Sequence, residues 1–227
     1  MFYFTGTRKP NFKDISQDIY ADYWKATGSQ LRSRLMEREV IFLDWIKNDS
    51  SVLSLGCGNS RLLFELKKQK NCQVLGADIE NSVVEGLKKQ GIDAMQIDLT
   101  DKNLNLEKIL DKKFDYVILS ELLEHLAMPE ELILKLKNLG NNLIISIPNS
   151  AFYRYRMGLM FSGRFFTQWA KHPSEHLRYW SHLDFLDWLE ALGFKVVQVR
   201  ASNGFNIFKN LWPNLLGHQI CYLVSIK

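Results

Sequence analysis

Cysteine is scarce in this chain. The three present among 227 residues, Cys57, Cys72 and Cys221, are odd in number and form no C-x-x-C pair or metal-type spacing. That argues against a disulfide framework and for a reducing compartment, with the thiols as packing residues. Long apolar runs are missing too. No stretch of about 18 apolar residues is available to span a bilayer, and the segment Met1 to Pro10 lacks the apolar centre of a signal peptide. A cytoplasmic protein is expected. Internal repeats, low-complexity tracts and clear linkers are absent as well. At 46% hydrophobic residues the chain can bury one core and is too short for two typical domains, so a single domain over 1–227 is expected.

Charge is nearly balanced, and its small excess is localised. The net value is +4. Between Asn149 and Trp180 stand Arg154, Arg156, Arg164, Lys171 and Arg178 against Glu175 alone, so the excess falls in that one segment. The same segment is rich in aromatic residues. Positive charge beside stacking surface suits an anionic or amphiphilic partner, although a solvated basic face over core aromatics has the same composition. Phe152 to Phe166 also has the make-up of a basic aromatic helix lying on a membrane surface.

Against this background one stretch stands out. Val52-Leu53-Ser54-Leu55-Gly56-Cys57-Gly58-Asn59-Ser60 reads as a short strand breaking into a glycine turn, and Arg61 onward reads as a helix. Glycines at 56 and 58 allow backbone angles closed to other residues and let a ligand press against the main chain near a helix N-terminus. Further strands are expected near Gln73–Ala77, Ala94–Ile97, Tyr116–Leu119, Leu143–Ile147, Lys195–Val199 and Gln219–Ser225. Helices are expected near Phe12–Ala26, Gln30–Lys47, Arg61–Gln69, Ser82–Gln90, Leu106–Leu110, Pro129–Leu139 and Leu183–Leu192, the last closed by Gly193. Such alternation predicts a parallel sheet with helices on both faces and ligands beyond the carboxyl ends of the strands. Asp78 closes the second strand, 20 residues after Gly58, the interval at which nucleotide-binding α/β units place an acid against ribose hydroxyls. An aspartate there can also simply cap the next helix. Asp98 repeats the pattern after the third strand, with a turn cap as its bland alternative.

The glycine turn resembles the first motif of class I S-adenosylmethionine-dependent methyltransferases, with Ser54 where an acid is usual and Ser60 where a third glycine is usual. Phe114-Asp115-Tyr116-Val117 followed by Leu123-Glu124-His125-Leu126 resembles the fourth-strand motif of the same superfamily. The resemblance implies a Rossmann-like α/β sandwich whose seven-stranded, mostly parallel sheet has an antiparallel last strand, with a small cap after strand 5. It divides the chain into an N-terminal helical region (1–50), a cofactor-binding core (51–148), a cap (149–180) and a C-terminal helix with two strands (181–227). S-adenosylmethionine is the implied cofactor. Leu55, Gly56, Cys57 and Gly58 would cradle it, Asp78 and Ile79 would meet its ribose, and Asp98 and Leu99 its adenine. Ser120 and Glu121 would lie on the sulfonium side.

Within that superfamily the chain is similar to MetW-like proteins. Asp115 to Ser120, Pro129-Glu130-Glu131, Ile144 to Asn149, Arg156-x-x-Leu159, Ser162-Gly163-Arg164, His176 and Asp184-Phe185-x-x-x-Leu189 carry this likeness. Members of that group are linked to methionine biosynthesis, partly as partners of a homoserine acyltransferase. Two functions follow as expectations. The first is methyl transfer to an oxygen, in preference to a nitrogen, of a small anionic or glycan-related acceptor. His125 and His176 are then the candidate bases, and Tyr153, Arg154, Arg156, His172, His176 and Arg178 would bind the acceptor. The second is a non-catalytic or regulatory partner of a metabolic enzyme. His172 and His176 could share a helix face as zinc ligands, but no third ligand lies near them in sequence, so no metal is expected. Tyr20, Tyr23 and Trp24 would cover the cofactor or pack in the core. A dinucleotide oxidoreductase is disfavoured because Arg61 stands where the last glycine of G-x-G-x-x-G falls. Nucleic-acid methylation is disfavoured by the lack of an N-P-P-Y-like tetrapeptide.

Overall fold

A computed structural model describes residues 31–101, 104–106, 110, 112–166 and 175–226. Seven strands form one sheet: β1 (Ser51–Leu55), β2 (Gln73–Asp78), β3 (Asp93–Gln96), β4 (Phe114–Ser120), β5 (Gly140–Pro148), β6 (Lys195–Gly204) and β7 (Gly217–Ser225). Their order is β3-β2-β1-β4-β5-β7-β6, and β7 runs antiparallel to both β5 and β6 while the others are parallel. This is the class I methyltransferase arrangement expected from the sequence. Helices α1 (Glu37–Trp45), α2 (Leu62–Lys70) and α3 (Asn81–Lys89) precede β1, β2 and β3, and α4 (Pro129–Lys135), α5 (Tyr153–Ser162) and α6 (His182–Ala191) follow later in the chain. No helix of the described residues is long and apolar enough to cross a membrane.

The central strands are apolar on both sides because both faces are covered. Val52, Ile118 and Ile144 point into one cluster with Phe42 and Trp45 of α1, Leu63 and Leu66 of α2 and Leu87 of α3. Leu53, Leu119 and Ile145 point into the other, against Leu132 and Ile133 of α4 and Phe185 and Leu189 of α6. Leu119 is fully buried, and truncating such a leucine to alanine costs about 2–5 kcal/mol. At the amino end of the sheet, Asp115 accepts hydrogen bonds from the Ser51 N–H and hydroxyl, both at 2.8 Å, and these bonds hold its carboxyl below the usual range.

Element bounds differ from expectation chiefly in the N-terminal region. The helix expected from Gln30 begins at Glu37. Glu39 turns back so that its Oε2 accepts the Met36 N–H at 2.7 Å, and the Arg32 N–H instead donates to the Asn59 carbonyl. The helix expected over Pro129–Leu139 tightens after Lys135 into a 3-10 turn at Leu136–Asn138. Phe12–Ala26, including Tyr20, Tyr23 and Trp24, lies outside the described residues, and of Leu106–Leu110 only the two ends are described.

The sheet order reverses between β1 and β4. Leu55 pairs with Ala77 on one side and Leu119 on the other, so Gly56, Asp78 and Ser120 emerge together at one edge. That edge, beyond the carboxyl ends at the switch point, is where open α/β sheets bind ligands.

Candidate functional site

At this edge β1 gives way to a loop in which Gly56 and Gly58 take φ of +60° and +53°. A Cβ on Gly56 would stand 2.8 Å from a methyl at the movable end of the Leu122 side chain, so the positive φ, more than the space, is what favours glycine there. The Cys57 N–H donates to the Ala77 carbonyl at 3.1 Å, tying the loop to β2. Asp78 completes the link: its Oδ2 accepts the Gly58 N–H at 2.8 Å and its Oδ1 the Glu80 N–H at 3.0 Å. Burial lifts the Asp78 carboxyl above the ordinary aspartate range, against the pull of these backbone donors.

A cavity of about 580 Å³ opens over the loop. Its wall includes Gly56, Cys57, Gly58, Asp78, Ile79, Asp98, Leu99, Ser120 and Glu121, residues that the methyltransferase resemblance implies for the cofactor. Leu55 lies buried behind it. Asp98 is exposed and its Oδ1 accepts from the Thr100 N–H and hydroxyl at 2.8 and 2.6 Å, the turn-capping geometry of the bland alternative, while the residue still borders the cavity. Cys57 borders the cavity, and its thiol is buried towards Gly76, where burial and the Asp78 charge drive its pKa far upward.

The two serine departures have different consequences. Ser54 is buried on the wall and brings no charge. Ser60 donates its hydroxyl proton to Glu39 Oε1 at 2.6 Å and accepts the Leu62 N–H at 3.1 Å, so it fastens α1 to the start of α2. Glu39, only 2% exposed, also binds Arg32 at 2.5 Å. Arg32, Arg38 and Glu39 thus form a charged wall that the spacing of the N-terminal region does not reveal.

At the opposite end, Ser120 Oγ accepts from Arg38 Nε at 3.0 Å, and Glu121 follows in the left-handed region at φ +51°. Its N–H reaches the Ser146 carbonyl and hydroxyl, and its Oε2 accepts from Gln219 at 2.7 Å. A 3-10 turn, Leu123–His125, then brings Glu124 and His125 to the wall. The chain returns here at Glu175 and His176: the Leu177 and Arg178 N–H groups both donate to the Glu124 carbonyl at 2.7 and 3.1 Å, and His125 Nδ1 bonds the Glu175 carbonyl. The two imidazoles meet edge to face, centroids 4.7 Å apart. Burial lowers the pKa of His125; burial, reinforced by His125, lowers that of His176 to about 4. Both rings are therefore neutral near pH 7. Burial, reinforced by Glu121, pushes the Glu124 carboxyl well above its usual range.

The cap residues are placed elsewhere. Tyr153, Arg154, Arg156 and Arg178 are not on the cavity wall. Arg154 Nε donates to the Tyr153 hydroxyl at 3.0 Å, Arg156 to the Ala151 and Asn214 carbonyls, and Arg178 to the Ala127 carbonyl. Backbone carbonyls that the sequence pattern cannot locate have taken up the guanidiniums of Arg156 and Arg178. His172 lies outside the described residues.

Comparison with known proteins places this geometry. Residues 37–224 match the family model of "Methionine biosynthesis protein MetW". The chain belongs to the MetW family. Among curated MetW-containing relatives, the bifunctional methionine biosynthesis protein MetXA/MetW of Rhodopirellula baltica is 31% identical over 134 residues, 56% of this chain. The chain spans only about a fifth (21%) of that relative's length. A ubiquinone biosynthesis O-methyltransferase of Coxiella burnetii is 23% identical over 225 residues, covering 90% of this chain and 91% of its own. Among solved structures, a SAM-dependent methyltransferase from Archaeoglobus fulgidus superposes with a TM-score of 0.57 at 18% identity, over 92% of this chain and 99% of the other. This MetW-family chain therefore has the class I methyltransferase fold.

Proposed function

We propose that this MetW-family chain is an S-adenosylmethionine-dependent methyltransferase acting on an oxygen of a small anionic or glycan-related acceptor. The observation that carries the reading is the Asp78 carboxylate, pinned by the Gly58 amide at the cavity wall beside the side-chain-free Gly56. The residues present fit the cofactor. A carboxylate offers the paired acceptors that two vicinal ribose hydroxyls need, and 580 Å³ falls within the about 300–1,000 Å³ of small-molecule sites. Ser54 provides no anion for the cofactor's amino-acid end, but Glu121 Oε1 is buried with no hydrogen-bond partner among the described residues and provides one.

S-adenosylmethionine, when bound, supplies an electrophilic methyl group on a sulfonium. The chain's own share is placement and water exclusion, and correct alignment of two reactants is worth about 7–11 kcal/mol of barrier. Glu124, His125 and His176 border the end of the cavity next to Glu121, where an acceptor hydroxyl would approach. Calorimetric titration with S-adenosylmethionine and S-adenosylhomocysteine tests the reading: both should bind, and absence of binding at millimolar ligand contradicts it.

A second reading, a regulatory partner of a methionine-biosynthetic enzyme, is favoured by exposed apolar side chains. Met160 and Phe161 near the end of α5 and Phe165 beyond it are 69–79% exposed, as are Ile207 and Leu211, at 73% and 79%. Exposed apolar surface of this kind can mark an interaction site where it is contiguous, and the bifunctional relative carries MetXA and MetW in one name. Recovery of one stoichiometric enzyme partner together with absent methyl turnover would favour this reading over the first.

A further inference from the structure

Glu124, His125 and His176 each offer a ligand atom, and these atoms all lie within 4.8 Å of one another. We infer that the three residues form a binding site for a divalent first-row transition cation of the Zn²⁺ or Co²⁺ type, its remaining coordination positions open to the cavity. Three independent features support this. Glu124 is 1% exposed, yet neither of its carboxylate oxygens has a hydrogen-bond partner among the described residues. A buried carboxylate left so is costly, and a cation satisfies it. Glu121 adds a second negative charge acting on Glu124, and the charge of Arg38 opposes it.

The histidines are arranged as ligands. A carbonyl oxygen only accepts, so the His125 Nδ1 bonded to the Glu175 carbonyl must carry the proton, and Nε2 is the nitrogen with the lone pair. Metal-binding histidines are usually oriented by such a bond from the other ring nitrogen. His176 Nδ1 is buried with no hydrogen-bond partner among the described residues. The cluster is also built into the backbone: the bonds from Leu177 and Arg178 to the Glu124 carbonyl, with that of His125 to Glu175, lock the two segments together although 50 positions separate them. Sequence spacing paired His176 with His172 and found no third ligand; the fold supplies two partners from the turn after β4. Two imidazoles and one carboxylate favour zinc-like ions over the all-oxygen sites of Mg²⁺ and Ca²⁺. Three protein ligands leave a position for an exchangeable oxygen.

The site itself does not depend on the methyltransferase reading; its use, holding the acceptor's oxygen in the cavity, does. In that use the two imidazoles are ligands and not proton acceptors, which replaces the general-base role considered for them.

The test uses the full chain, stripped with a chelator and dialysed. Co²⁺ is titrated while visible d–d absorption is followed, and zinc content is measured after loading and desalting. One equivalent of either ion is expected to bind. Glu124→Gln, which keeps the side-chain shape, and His176→Ala should each weaken binding by more than the about 10–100-fold that loss of an outer-sphere partner costs. His218→Gln, outside the cluster, should bind as the wild type does. Circular dichroism of each variant confirms folding. Absence of saturable binding by the wild type, or binding by folded Glu124→Gln and His176→Ala equal to wild type, overturns the site. A parallel S-adenosylhomocysteine titration separates the two ideas. Cation binding without nucleoside binding keeps the site and removes the methyltransferase reading, and nucleoside binding without cation binding does the reverse.

Discussion

Replacing Asp78 by asparagine tests the ribose assignment with little disturbance to the fold. Asp78 accepts one backbone N–H on each oxygen. Asparagine keeps one acceptor and turns the other into a donor, which then opposes either the Gly58 or the Glu80 amide. An unmatched buried donor costs about 1–3 kcal/mol. The substitution also removes a charge that burial disfavours, since the Asp78 pKa is raised by desolvation. The two effects offset one another, and the ligand-free protein should lose about 1 kcal/mol or less, under about 4 °C in Tm.

Ligand binding has no such offset. A hydrogen bond to a charged group contributes about 1.5–3 kcal/mol, so S-adenosylhomocysteine should bind D78N about 10–150-fold more weakly by calorimetry. The pH dependence follows from the same shift. Ribose binding needs the ionised carboxylate, so wild-type affinity should fall on acidification, beginning above the pH at which an exposed aspartate titrates, and D78N should lose that dependence. Stability runs the other way. A carboxyl whose folded pKa is raised stabilises the protein below its unfolded pKa, and this contribution is lost as pH rises through the folded value. D78N should flatten that part of the stability profile. A folded D78N protein with affinity within about threefold of wild type refutes the assignment.

Three further predictions concern the scaffold. Gly204→Ala places a Cβ 2.3 Å from the Leu216 carbonyl oxygen at φ +125° and should destabilise by about 2–4 kcal/mol in urea unfolding, whereas Gly91→Ala, which meets nothing within 4 Å, should cost about 1 kcal/mol from its positive φ alone. Ser60→Gly restores the commoner glycine but severs the Glu39 and Leu62 bonds; thermal unfolding should report a loss of about 1–2 kcal/mol, and an unchanged Tm would mean that α1 is not fastened there. Cys57 and Cys221, buried and with thiol pKa values driven far up, should resist alkylation by iodoacetamide in the native state and react on unfolding, as mass spectrometry of labelled peptides can read.

Much of the fold was legible because its signals are local. The apolar run of β1, the glycines after it and the acid ending β2 lie within 27 residues, and each states its own backbone requirement. The place of Asp78 at a strand tip beside the glycine turn was legible from the turn and the spacing together, because a parallel β-α-β unit fixes the distance between adjacent strand tips. The meeting of His176 with His125 had no such signal: it depends on the bonds of Leu177 and Arg178 to the Glu124 carbonyl, and backbone bonds between distant segments leave no periodicity. The bonds of Arg156 and Arg178 to backbone carbonyls had no signal for the same reason, since a basic residue in a cap is equally suited to an anion or to a nearby carbonyl. Ser60 looked like a missing glycine until Glu39, from a helix whose start was misplaced by several residues, proved to be its partner.

The most direct measurement is a crystal structure of the chain grown with S-adenosylhomocysteine. Both ribose hydroxyls should lie about 2.5–3.0 Å from the Asp78 carboxylate oxygens, with the amino-acid portion over Gly56 and Gly58. A nucleoside bound elsewhere, or one in this cavity with its ribose turned away from Asp78, would contradict the reading.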